Sequence, residues 1–139
     1  VDADQLRRSA ACVHNLIDRE IERGLPSERI MVAGFSQGGA VSFEAALTFP
    51  HRLAGIMALS TYFATAATVA VNPVQQGLPM LICHGSEDPV VPESLGRQSV
   101  ATLQKFGFNP KYVVDPMEHA VCPQQIVDIG GWRERTLKA

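Results

Sequence analysis

Gly34-Phe35-Ser36-Gln37-Gly38 sets a serine in the pattern G-x-S-x-G, directly after the apolar run Ile30-Met31-Val32-Ala33 and directly before the helix-like stretch Ala40 to Leu47. At a tight strand-to-helix turn of this kind the serine hydroxyl is thrust out at the carboxyl end of the strand, while the small residues let neighbouring backbones approach. The chemistry that suits such a hydroxyl is nucleophilic attack on a carbonyl carbon, as in a serine hydrolase. A serine hydroxyl is a poor nucleophile at neutral pH, however. Ser36 needs a base to take its proton and a third group to hold that base in the right tautomer.

The chain offers four histidines as the base. His14 falls inside an amphipathic segment and His51 follows the helix-ending Pro50, so both read as surface residues. His84 closes an apolar run just before Gly85-Ser86-Glu87-Asp88-Pro89, where it reads as shaping the turn. His119 stands in the loop Pro116-Met117-Glu118-His119-Ala120 after the last apolar run, at the end of a parallel sheet where ligands gather. It is the best base. For the orienting acid, Asp88 and Asp115 compete, with Glu87 and Glu118 as neighbours that read as solvated charges. Asp88 gives the order Ser, Asp, His found in α/β-hydrolases, and both order and loop placement favour it over Asp115.

Elements that would position these residues follow from periodicity. Asp2-Ala3-Asp4-Gln5 offers capping side chains, and Leu6, Ala10, Val13, Ile17 and Ile21 mark one face of a helix that Gly24 and Pro26 end. Ile30 to Phe35 is continuously apolar, as expected of a parallel strand covered on both faces, and the helix opened by Ser36 runs until Pro50. Ala54 to Leu59, Leu81 to His84 and Tyr112 to Asp115 read as further buried strands, with helices over Glu93 to Phe106 and Gln124 to Leu137. The alternation implies an α/β fold with a mostly parallel sheet between helices. Ser60 to Leu78 is too apolar for an ordinary solvated loop and has no clear periodicity. It reads either as the wall of an apolar substrate pocket or as a short helix or hairpin packed on the sheet.

Bulk properties narrow the class. A length of 139 residues suits a single domain over 1–139, and 46% hydrophobic with 19% charged residues describes an ordinary globular chain. The net charge of -2 is spread along the chain without a basic run, so nucleic acid is not an expected partner. Cys12, Cys83 and Cys122 are odd in number and far apart, which argues against a disulfide framework or a zinc site and favours a reducing compartment, the cytoplasm. No apolar run reaches the roughly 18 residues of a membrane span.

Three segments together carry a specific resemblance. Gly34-Phe35-Ser36-Gln37-Gly38-Gly39-Ala40, then His84-Gly85-Ser86-Glu87-Asp88-Pro89-Val90-Val91-Pro92, then Met117-Glu118-His119 followed by Pro123, closely resemble the phospholipase/carboxylesterase family of α/β-hydrolases, which includes bacterial carboxylesterases and acyl-protein thioesterases. The resemblance covers nearly the whole chain. It implies the α/β-hydrolase fold, with Ser36 as nucleophile, Asp88 as acid and His119 as base, acting on a small-molecule ester or thioester with no metal or organic cofactor. Family members also begin with further strands and a His-Gly loop that supplies one backbone N–H of the oxyanion hole, and nothing in Val1 to Arg29 matches that segment. The remaining donor is the backbone N–H of Gln37.

The chain carries no initiator methionine and enters a helix almost at once, so it is expected to be the C-terminal two-thirds of such a domain, lacking the N-terminal strands and oxyanion loop. Two functions are consistent with that. One is a serine esterase working through an acyl-enzyme on Ser36. The other is a catalytically impaired fragment acting as a binding or assembly module, since a parallel sheet cut beside the Ser36 strand exposes an unpaired edge that invites self-association.

Overall fold

The computed structural model describes residues 2–120 and 123–138, with the side chains of 2–120 and 130–137. Four parallel strands, β1 (Met31–Phe35), β2 (Gly55–Leu59), β3 (Met80–Gly85) and β4 (Lys111–Asp115), lie side by side in chain order. Each is within one residue of its expected start and end. The helices are α1 (Ala3–Glu22), α2 (Gln37–Thr48), α3 (Glu93–Lys105) and α4 (Pro123–Lys138), as the periodicity implies.

Helix α1 starts where the Asp2 carboxylate accepts the N–H groups of Asp4 and Gln5 at 3.0 and 3.2 Å, so orphan amides of the first turn are satisfied. It stops at Gly24, whose φ of +99° no L side chain adopts readily. Its apolar face packs as read: Leu6, Ala10 and Ile17 are buried, with Val13 and Ile21 against the same core. Helix α2 is buried along most of its length, from Gly39 to Leu47, because it lies between the sheet and α1. His14, read as a surface residue, is half-buried instead. Its Nε2 lies 2.7 Å from the Ala45 carbonyl oxygen, and its ring meets Phe49 edge-on at 5.2 Å, so it ties α1 to α2. His51 is exposed.

Alternation along the strands divides the sheet into two faces. Val32, Ile56, Ala58, Met80 and Ile82 point into the main core with Phe43, Leu47 and Leu103. Leu81 and Cys83 point the other way, against Trp132 of α4, with Met31, Met57, Leu59 and Val113 at the margin. Helices therefore cover both faces unequally, and β1 departs from expectation: on this edge strand Ala33 and Phe35 are exposed, while Met31 alone of that face packs at the margin of the Trp132 cluster. Beside that edge a cleft of about 330 Å³ runs between α1 and β1, lined by Val13, Leu16, Ile17, Ile30 and Val32 among others.

The stretch after β2 folds as turns and one short 3-10 segment, Pro73–Gln75, with neither hairpin nor α-helix. Gln75 anchors it. The side chain is wholly buried, accepts the Leu53 N–H at 3.2 Å and donates to the carbonyls of Phe49 and His51 at 3.0 and 2.6 Å. Nearer the start of the stretch, the Phe63 N–H donates to Ser99 Oγ at 2.8 Å, docking it on α3. Between them lies a cleft of about 160 Å³ lined by Tyr62, Phe63, Ala66, Leu95, Ser99 and Thr102. The stretch lines one side of that cleft, which Ser36, Asp88 and His119 do not line.

Candidate active site

Ser36 joins β1 to α2 with φ +55° and ψ −122°, a region that residues bearing a side chain rarely occupy. Its N–H donates to the Leu59 carbonyl at 2.8 Å and its carbonyl accepts from Gly39 at 3.0 Å, so strand and helix clamp the turn from both sides. The close approach that the turn needs is supplied by Gly34 and Gly39. A Cβ on Gly34 would lie 2.2 Å from the Gly38 carbonyl oxygen, and one on Gly39 would lie 2.4 Å from the Thr61 methyl. Gly38 itself has open space around it. The serine holds the N-cap position of α2, yet its side chain makes no capping hydrogen bond.

The hydroxyl goes elsewhere. Ser36 Oγ lies 2.8 Å from His119 Nε2, and His119 Nδ1 lies 2.6 Å from Asp88 Oδ2. A carboxylate can only accept, so Nδ1 of the neutral ring carries the proton and donates to Asp88, which leaves Nε2 to accept from the serine. Asp88 is buried, and its second oxygen accepts the N–H groups of Val90 and Val91, both at 2.8 Å. Burial alone would push its carboxyl up. The hydrogen bond from His119, those from the Val91 and Val90 amides and the attraction of the imidazole together outweigh burial and hold it below the usual aspartate value.

Asp115 is not part of this chain of bonds. Its backbone carbonyl accepts from Ser86 and Met117, which ties the Asp88 loop to the His119 loop at the end of β4. Glu87 and Glu118 are exposed. His84, buried at the end of β3, reaches Val91 rather than Ser36. Gly85 lets the His119 loop settle on the strand end, since a Cβ there would lie 2.2 Å from the Met117 carbonyl oxygen. Phe35, given no role from sequence, is exposed and lies with its ring 4.8 Å from that of His119. Its position next to Ser36 in the motif is the only sequence signal for it.

Gln37 is exposed and opens α2, so its backbone N–H belongs to the first turn, whose amides lack intrahelical acceptors. The positive end of the helix is added to that donor. Among the described residues no three His, Cys, Asp or Glu side chains are grouped to hold a metal ion, and no helix is long and apolar enough to cross a membrane.

The sequence profile of the phospholipase/carboxylesterase family matches residues 1–132. The chain belongs to the phospholipase/carboxylesterase family. Within it, the chain is 35% identical over 141 residues to acyl-protein thioesterase 1 of Gibberella zeae, covering 98% of this chain and 60% of that protein. Acyl-protein thioesterase 1 of Schizosaccharomyces pombe is 43% identical over 104 residues, covering 73% of this chain and 46% of that protein. This phospholipase/carboxylesterase chain thus spans about half the length of the curated relatives it matches. The crystal structure of Arabidopsis thaliana SOBER1 superimposes with a TM-score of 0.90 at 25% identity, over 99% of this chain and 67% of that one. The likeness establishes the α/β-hydrolase-type architecture of the sheet and its helices.

Proposed function

We propose that the chain carries the machinery of a serine carboxylic-ester hydrolase, acting on short-chain esters or acyl thioesters through an acyl-enzyme on Ser36. The observation that carries this reading is the unbroken line of hydrogen bonds from Ser36 through His119 to Asp88, at 2.8 and 2.6 Å. Ser36 attacks the carbonyl carbon while His119 takes its proton, then hands it to the departing alcohol or thiol; water repeats the sequence to release the acid. Asp88 holds the imidazole and stabilises its charged form. The oxyanion faces the Gln37 N–H at the positive end of α2. Names of the relatives favour thioesters of proteins among the substrates, and an exposed Cys12 thiol suits the cytoplasm.

A fluorophosphonate probe followed by mass spectrometry tests the assignment. Ser36 is expected to carry the label, with labelling abolished in Ser36→Ala and slowed by orders of magnitude in Asp88→Asn, as loss of the correct tautomer does in such triads. Asp115→Asn should label at close to the parent rate. Label on Cys12 or Cys83, or a greater loss in Asp115→Asn than in Asp88→Asn, would overturn the roles given.

A second reading, an assembly module, is favoured by the β1 edge and the apolar cleft beside it, where Leu16 stands 57% exposed. Sedimentation of the chain with and without Leu16→Lys separates the two: a mass that falls with the substitution, in a chain that no probe labels, supports assembly.

A further inference from the structure

We propose that His84 is a positioning residue that holds Asp88 in register with His119 by gripping the carbonyl of Val91; the inference rests on the roles given above to Ser36, Asp88 and His119. His84 is completely buried at the end of β3, and its Nε2 lies 2.7 Å from the Val91 carbonyl oxygen. A carbonyl only accepts, so Nε2 carries the ring's proton and Nδ1 is a bare lone pair. Among the described residues that nitrogen has no hydrogen-bond partner. It is packed instead against Gly96 of α3, where a Cβ would come within 2.6 Å of it.

A wholly buried imidazole with one unpaired nitrogen is destabilising in a way that leucine or methionine would not be. Space-filling therefore does not explain the residue, and the bond made by the other nitrogen does. Val91 is the residue whose N–H, together with that of Val90, holds Asp88 Oδ1 at 2.8 Å. The same backbone segment thus grips the carboxylate with its amides and is itself gripped, one carbonyl further on, by a side chain rooted in β3. Asp88 Oδ2, the oxygen that receives His119, sits 3.8 Å from His84 Nε2, so the N–H dipole also faces the carboxylate charge without competing for the bond. With the grip removed, the Val91 carbonyl is left unpaired and the Asp88 loop is tied to its strand by less, which shifts the acid relative to the imidazole.

Two measurements on the 139-residue chain test this: the rate at which a fluorophosphonate labels Ser36, and the low-field proton NMR signal of the His119 Nδ1–H bonded to Asp88. His84→Leu, which removes the donor, should slow labelling by about 100-fold at an unchanged half-saturating probe concentration, the scale of an ångström-level displacement, and should shift or abolish the low-field signal. His84→Gln carries an amide N–H at the reach of the ring Nε2 and should restore most of both. A folded His84→Leu variant with parent rate and signal would overturn the proposal, and so would a His84→Gln variant as impaired as His84→Leu. Should His84→Leu fail to fold, His84→Asn, polar but too short to reach Val91, takes its place under the same criteria. Ser36→Ala keeps the inference separate from the reading it rests on: if that variant is still labelled, Ser36 is not the nucleophile, while the low-field signal goes on reporting whether His84 sets the Asp88–His119 bond.

Discussion

Ser36 occupies the N-cap of α2 and gives its hydroxyl to His119, 83 residues further along the chain and 2.8 Å away, instead of to the helix it begins. Serine at an N-cap ordinarily satisfies an amide of the first turn. Here the backbone at φ +55° turns the side chain out of the helix, so the turn gives up a cap in order to present the hydroxyl. The residue combines backbone strain with a missing capping bond, and the nucleophilic role proposed for it draws on both.

Stability should show this. Ser36→Ala is expected to change the unfolding free energy by less than about 1 kcal/mol, since no cap is lost. Ser36→Gly, which relieves the positive φ, should be more stable than Ser36→Ala by about 1 kcal/mol. Urea unfolding of the two variants checks the sign, and a glycine variant weaker than the alanine one would mean that the turn is not strained.

The two outer glycines of G-x-S-x-G should behave oppositely. Gly34→Ala drives a methyl into the Gly38 carbonyl at 2.2 Å, backbone that cannot move without shifting α2, and is expected to destabilise by about 3 kcal/mol or more. Gly38→Ala meets open space in the first turn of α2 and should be neutral or stabilising by up to about 1 kcal/mol. Thermal melts of the pair decide it.

The contrast also marks how far the sequence can be read. Apolar runs such as Ile30 to Phe35 announce strands because local composition carries the signal, and Ser36, Asp88 and His119 stand out because their chemistry leaves few alternatives at those loop positions. Which glycine of the motif is sterically required depends on where Thr61 and the Gly38 carbonyl come to lie, and no local pattern encodes that. The amphipathic pattern of its helix marks His14 as a surface residue, yet it packs on Ala45 and Phe49 at the end of α2. The segment after β2 lacks periodicity for a related reason: single side chains such as Gln75 and Ser99 hold it in place, and a repeating face does not.

Gln75 gives that point a number. Gln75→Leu keeps much of the volume but leaves the Leu53 N–H and the carbonyls of Phe49 and His51 without the partner they have in the fold. Each buried polar group stranded in this way costs about 1–3 kcal/mol, so a loss of about 3 kcal/mol or more is expected, read as a lower denaturation midpoint in urea. A loss below about 1 kcal/mol would show that the contacts are replaced.

Acid should release part of the stability held at Asp88. Its carboxyl is held below the ordinary value of 3.8, so the folded state binds fewer protons there than the unfolded state as the pH falls through that region. The contribution is complete above the unfolded value and disappears as the pH drops through the lower folded one. Asp88→Asn, which cannot ionise, lacks this contribution at every pH. The stability difference between the parent and Asp88→Asn, measured by urea unfolding, should therefore be largest near neutral pH and shrink as the pH is taken below about 4. Taking the difference cancels the other carboxylates, whose titration the two proteins share. A gap equally wide at pH 7 and at pH 3 would mean that the hydrogen bonds from His119, Val90 and Val91 do not favour the ionised acid, and would remove the electrostatic basis for Asp88 as the group that steadies the His119 imidazole.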